Sequence, residues 1–410
     1  MLKKVAIIGG GAAGMMAAVS VSKKGNNVTI FEKNEKLGKK ILHTGNGRCN
    51  ITNSNVNSQN YHGKYPKFSA SVLSQFTNKD TIKFFEDLGL VLKEEDNGRL
   101  FPRSNQAQSV IDCFEEKLKE LKVTIKYNQK IKDISKKNNK FIITTYQNKN
   151  YEFNKLIIAT GGKTYPNTGS TGDGYRFAKN FGHKIIKPFP VSAPFRIKSV
   201  ICNKLQGIKV NAKLTIFHND KKLVENTGEL LFTHLGISAP VVLESSREVS
   251  RILSGKPDEN ITCSINLLPE YNLEELFKLL NSRIKRNLER TLGNQFMGIL
   301  PKKVAPVILK YHNINPDLKS SNVSKQIIHK TIQTLTNYKE KILSVLGWES
   351  AQFTAGGVDV SEINSKTMES KIVKDLYFCG EVIDIDGDSG GYNLQWAWSS
   401  GYVAGKYLGN

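Results

Sequence analysis

The chain has 410 residues, 39% hydrophobic and 23% charged, a composition that supports a buried core and excludes a disordered polyelectrolyte. Its length exceeds one typical core, so two or three domains are expected. Basic side chains outnumber acidic ones 59 to 37, for a net charge of +22: residues 1–190 carry +17, 191–345 carry +10 and 346–410 carry −5. This suits a polyanionic partner, nucleic acid before membrane, and compositional drift toward lysine and asparagine accounts for it equally well. The five cysteines (Cys49, Cys113, Cys202, Cys263, Cys379) lie far apart and form no CxxC, which excludes a zinc ribbon and argues against a dithiol reductase. A reducing cytoplasm is the expected location, with no membrane association.

The chain opens on a short apolar run ending in Ile7-Ile8-Gly9-Gly10-Gly11-Ala12-Ala13-Gly14, followed by a second apolar stretch and then Val28-Thr29-Ile30-Phe31-Glu32. Strand, glycine turn, helix, strand and terminal acid form a dinucleotide-binding unit. Gly9 makes the tight turn, Gly11 lets backbone approach a diphosphate, and Gly14 permits close helix–strand packing. The diphosphate would lie on the helix N-terminus, with Glu32 accepting from a ribose diol. The uncharged stretch 5–22 is interrupted by glycine and serine and reads as this unit rather than a membrane span.

A glycine-punctuated loop follows, Gly38-Lys39-Lys40-Ile41-Leu42-His43-Thr44-Gly45-Asn46-Gly47-Arg48-Cys49-Asn50. Periodicity predicts helices over 80–88 and 108–121 and strands over 123–127, 131–135, 141–146 and 156–159. The last strand enters Ala159-Thr160-Gly161-Gly162. Thr168-Gly169-Ser170-Thr171-Gly172-Asp173-Gly174 then opens a helix, and its glycine spacing is not a second nucleotide fingerprint. Prolines 188, 190 and 194 mark a boundary. Residues 190–269 read mainly as β, with one helical piece over 237–243, and 270–346 as a small helical domain. Strand and helix return at the end, so 1–189 and 347–410 are expected to form one discontinuous nucleotide domain.

The C-terminal segment fits the rest of a flavin site, with an ordinary loop-to-helix entry that uses glycine for turning as the alternative. Leu376–Cys379 reads as a strand, Gly380-Glu381 begins a turn where Glu381 reaches ribityl hydroxyls, and Asp388-Ser389-Gly390-Gly391-Tyr392-Asn393 opens a helix. That helix would turn its free N–H groups toward negative charge building on the flavin pyrimidine. Cys49 is a candidate proton donor with Arg48 lowering its pKa, or a packed structural thiol; Arg48 fixes substrate or pairs with a local acid. His43 and His234 are further acid–base candidates. No metal-ligand cluster and no Ser/His/Asp set emerges. The run 283–290 forms a basic helical face, solvated or laid along phosphates.

These blocks, with 228–238 and 354–358 in the same order, resemble the BaiN/RdsA family of NAD(P)/FAD-dependent oxidoreductases, also called aminoacetone-oxidase-like. The resemblance spans the chain. It implies an α/β Rossmann-like FAD domain built from both terminal segments, with inserted β-barrel-like and helical domains. It implies FAD, reduction by NADH or NADPH as a transient donor, and hydride transfer to a conjugated C=C bond. The substrate it implies is a steroid-like enone or a uridine of ribosomal RNA, the latter weakly favoured by charge. Small-molecule enone reduction, amine oxidation, and a non-catalytic flavin-bearing RNA-binding factor stand as alternatives, and the oligomeric state is open. Carried onto this chain, the adenosine-diphosphate site takes Gly9, Gly11, Gly14 and Glu32, and Lys33 and Ile131 are further cofactor-binding positions. The loop beside the flavin takes Lys40, Arg48, Cys49 and Asn50, with Thr160 and Gly161 nearby. The C-terminal end takes Gly380, Glu381, Gly391, Asn393 and Leu394. Thr44 stands where many relatives have serine.

Overall fold

A computed structural model describes residues 3–408. The chain divides into two compact units, Met1–Phe189 with Gln352–Asn410, and Pro190–Ala351. In the first unit five parallel strands form the central sheet: β1 (Lys4–Ile8), β2 (Asn27–Phe31), β3 (Thr124–Lys126), β4 (Lys155–Ile158) and β5 (Leu376–Phe378). Their spatial order is β5-β4-β1-β2-β3. Strands β1 and β4 are buried at nearly every position, as a parallel sheet covered on both faces requires.

Helix α1 (Ala12–Ser22) is buried along almost its whole length. It packs against α3 (Tyr392–Leu408), and the small residues between them set the spacing: a Cβ on Gly401 would lie 2.4 Å from the Ala13 carbonyl oxygen. Between them in sequence, α2 (Asp173–Asn180) follows the Thr168–Gly172 turn. Trp396 and Trp398 are buried at the base of α3, and their indole N–H groups donate to Gly380 O (3.2 Å) and Ile51 O (3.0 Å). These bonds fix the start of α3 against both loops that flank the candidate site. The sequence expected strands over 131–135 and 141–146; they pair antiparallel with each other, and the second also pairs with Asn150–Phe153, in a separate three-stranded sheet.

In the second unit six strands among the described residues close a barrel, in the order Phe195–Ile197, Gly236–Ser238, Lys221–Thr233, Lys209–His218, Ile261–Asn266 and Tyr338–Val345. Two local expectations change here. Ile237 lies in a barrel strand, and the helix runs over Pro240–Gly255 with proline in its first turn, where a missing N–H costs nothing. Residues 338–345, expected as helical, form the closing strand: Tyr338, Glu340 and Ile342 are buried while Lys339, Lys341 and Leu343 are exposed, a period of two. Helices Leu273–Arg286, Val304–Tyr311 and Lys325–Thr336 pack into the same hydrophobic core as the barrel.

Candidate flavin site

The site is built in the first unit. β1 delivers the chain into the Gly9–Gly11 turn, where Gly9 has φ +105° and its N–H donates to Phe31 O at 2.9 Å. A Cβ on Gly14 would lie 2.0 Å from Gly9 O, so only hydrogen lets α1 approach the turn. A Cβ on Gly11 meets no atom within 4 Å: it would project into open space in front of α1. No side chain caps α1 and its first turn carries no acid, so the positive end of its dipole is uncovered.

Glu32 is 7% exposed, and its carboxylate is oriented by three donors. Gly10 N–H reaches Oε2 at 2.8 Å, and Asn34 gives its backbone N–H (2.9 Å) and side-chain N–H (2.8 Å) to Oε1. A carboxylate has about four acceptor positions, so one remains for a ribose hydroxyl. Lys33 turns aside to Asp173 Oδ2 (2.8 Å) and Thr171 Oγ1 (2.7 Å). That ammonium holds the Asp173 carboxyl below its ordinary range despite the opposing effect of burial. Ile131 opens its strand two residues after Gln129, whose N–H donates to Glu32 O at 2.9 Å, so the fold brings this strand's start close to Glu32.

The centre of the site is organised by Glu381. Its carboxylate accepts from Lys40 Nζ (2.7 Å), Thr354 N–H (2.7 Å), Gly162 N–H (3.3 Å) and Thr164 O–H (3.3 Å). Lys40 also donates to Thr164 Oγ1 at 2.7 Å. Glu381 thereby ties its own turn to three segments distant in sequence, at 40, 162–164 and 354. Gly161 sits beside this hub at φ +71°, and Gly380, at φ +79°, donates its N–H to Ser400 Oγ at 2.9 Å. Thr160 Oγ1 is buried without a hydrogen-bond partner.

At the far end, Gly390 and Gly391 (φ +118° and +105°) turn the chain into α3, whose first turn carries no acid. Asn393 clamps the preceding loop, accepting from Gly387 N–H (2.8 Å) and donating to Gly387 O (2.9 Å) and Asp388 O (3.2 Å). Leu394 packs against the core. Asn50 Oδ1 is buried without a partner, and lies 3.1 Å from where a Gly391 Cβ would stand. An acceptor left so costs about 1–3 kcal/mol unless a donor arrives. An open berth at Gly11, two helix N-termini free of acids and the orphaned atoms of Thr160 and Asn50 fit a ligand with an anionic middle and a hydrogen-bonding head, which describes FAD.

The expected catalytic pair is corrected. Cys49 has no exposed surface even without a ligand, adopts φ +63°, and burial pushes its thiol up to about 12 against a smaller opposing bond from Thr44. A thiol so placed is not a ready acid. Arg48 does not lower it: the guanidinium donates to both Glu95 oxygens (3.0 and 3.1 Å) and lies 4.0 Å from the centre of the Phe101 ring. That bond from Arg48 holds the Glu95 carboxyl below its ordinary range. His43 is exposed in this loop, as are Asn46 and Gly47, and its ring stacks on Tyr165. His234 is exposed at the tip of a barrel hairpin in the other unit. In the basic run, Lys285 and Arg286 are exposed in the last turn of their helix, where cations complement its dipole.

Sequence reasoning missed Asp384, which is 2% exposed and accepts from Lys64 N–H at 2.9 Å. Burial, aided by Asp386 and Asp359, pushes its carboxyl up to about 6. The alternation of aspartates at 384, 386 and 388 was visible, but nothing in it distinguished the two buried acids, Asp384 and Asp386, from the more exposed Asp388. Among the described residues no group of three or more His, Cys, Asp or Glu is placed to hold a metal ion, and no helix is long and apolar enough to cross a membrane.

Comparison with known proteins agrees with this architecture. The family described as HI0933-like protein Rossmann domain matches residues 3–407. The chain is 34% identical over 412 residues to 3-dehydro-bile acid delta(4,6)-reductase of Clostridium scindens, covering 99% of this chain and 98% of that protein. It is 34% identical over 407 residues to ribosomal RNA dihydrouridine synthase of Escherichia coli, covering 98% and 97%. Among solved structures, 3-ketosteroid delta1-dehydrogenase of Sterolibacterium denitrificans superposes with TM-score 0.50 at 11% identity over 99% of both chains, a likeness of fold. The chain therefore belongs to the HI0933-like Rossmann family of flavoprotein oxidoreductases, which use FAD.

Proposed function

We propose that the chain is a cytoplasmic reductase that draws on NADH or NADPH and delivers hydride to a C=C bond conjugated with a carbonyl, its acceptor a uridine of ribosomal RNA. The observation that carries this is full-length similarity to two relatives whose names both describe saturation of such a bond. The net charge of +22 favours the RNA acceptor.

Bound FAD supplies two-electron hydride transfer between nicotinamide nucleotide and substrate. The protein's own part is to hold and polarise. The first-turn amides of α1 would hold the anionic diphosphate and Glu32 would orient the ribose, while the Glu381–Lys40 hub holds residues 162–164 against the loop 38–50. The α3 N-terminus offers donors where negative charge collects. A base in folded RNA must be unstacked to enter, which needs a few kcal/mol of compensating contacts.

The test is nucleoside mass spectrometry of ribosomal RNA from a deletion strain. A uridine that loses its two-hydrogen gain, and regains it with the purified holoenzyme and NADH or NADPH, supports the reading; unchanged RNA refutes it. A second reading, a small-molecule enone acceptor, is favoured by the bile acid reductase relative. Turnover of a 3-keto-4-ene steroid that added RNA does not affect would select it.

A further inference from the structure

We propose that His43 and Tyr165 form the shelf on which the planar unsaturated ring of the substrate stacks, an inference that rests on the reductase reading above. The two rings are nearly parallel, with centroids 5.9 Å apart and an interplanar angle of 11°. A ring inserted between them would need roughly 7 Å, twice the ~3.5 Å carbon contact distance. They are therefore an offset pair presenting one extended face, and a third ring adds to its outer side. His43 is exposed and Tyr165 half-buried.

The shelf is held rigidly beside the flavin site. His43 N–H donates to Lys40 O (3.1 Å), and Lys40 Nζ reaches Thr164 Oγ1 and Glu381 Oε2, each at 2.7 Å. Tyr165, the next residue, has φ +52° and ψ +58°, a left-handed conformation rare for aromatic residues. It also precedes Pro166, a position biased toward extended backbone. Thr168 locks it there, donating its N–H (2.8 Å) and O–H (2.7 Å) to Tyr165 O. Backbone strain so firmly held is a mark of functional positions. No hydrogen bond among the described residues occupies the His43 ring nitrogens or the Tyr165 hydroxyl, so both edges are free to meet ring carbonyls.

The probes are a fluorescently labelled oligouridylate, followed by anisotropy, and 4-androstene-3,17-dione, followed by equilibrium dialysis, each with holoenzyme in the absence of reductant. Base–aromatic stacking predicts that Tyr165→Leu and His43→Leu each weaken the occupying probe about 5- to 100-fold, while Tyr165→Phe, which keeps the ring, stays within about twofold. Loss confined to the oligouridylate assigns the shelf to RNA, and loss confined to the steroid assigns it to a small enone; both support the shelf. Flavin content and anaerobic bleaching by NADH or NADPH are measured on the same samples. Normal bleaching with probe binding unchanged in both leucine variants overturns the shelf and leaves the reductase intact, as does wild-type holoenzyme that bleaches yet binds neither probe. Wild-type protein that neither retains nor takes up flavin removes the reductase reading and the shelf with it.

Discussion

Two glycines three residues apart should fail in opposite ways when each becomes alanine. At Gly11 the backbone (φ −83°, ψ −170°) suits any residue and the new methyl meets no protein atom within 4 Å. Fold stability should therefore hold or rise by about 0.4–1 kcal/mol through the unfolded chain. The methyl instead occupies the berth in front of α1. At [FAD] equal to 100 times the wild-type Kd, ligand linkage stabilises the wild type by about 2.7 kcal/mol; a tenfold weaker variant gains about half of that. At Gly14 the methyl would stand 2.0 Å from Gly9 O, a backbone atom that cannot rotate away. Overpacking of this kind costs about 1–3 kcal/mol, which in a unit of roughly 250 residues lowers Tm by about 2–12 °C. The assay is thermal denaturation of apoprotein with and without FAD, alongside a fluorescence titration of FAD. Gly11→Ala protein that binds FAD as tightly as wild type would show that the open space is not the diphosphate berth. Gly14→Ala apoprotein melting at the wild-type temperature would show that the helix–turn contact is dispensable.

Three further outcomes follow from the site. Lys40→Met leaves the Glu381 carboxylate without its cation in a mostly buried setting, and should cost about 1–3 kcal/mol with faster FAD release, measured by melting and dilution. Cys49→Ala should retain at least half of wild-type NAD(P)H-dependent turnover, since the thiol is fully buried and burial raises its pKa; in native protein Ellman's reagent should reach Cys113 well before the buried thiols of Cys49, Cys202, Cys263 and Cys379. Asp384 has a folded pKa near 6, above the ordinary 3.8, so its contribution to stability is complete below about pH 4 and is lost as pH rises through 6. Two units correspond to about 3 kcal/mol, so Asp384→Asn should match wild type at pH 4 and exceed it by up to that amount at pH 7 in denaturant titrations; equal stability at both would refute the assignment.

Much of this protein is legible in sequence because its information is local. The fingerprint at Gly9, Gly11 and Gly14 with Glu32 needs only one strand–turn–helix–strand unit, and each residue's conformation follows from its neighbours. The same holds for the Gly390-Gly391 entry into α3. Tertiary structure decided what depends on burial and distant partners. Residues 338–345 alternate in and out only because a barrel needed a closing strand. Arg48 finds Glu95, a partner 47 residues away, and so leaves Cys49 an ordinary core thiol. Glu381 gathers Lys40, Gly162, Thr164 and Thr354 from across the chain. Propensity and spacing operate over a few residues, whereas the solvation of a charge and the choice of its partner are properties of the packed chain, and so no motif could have announced them.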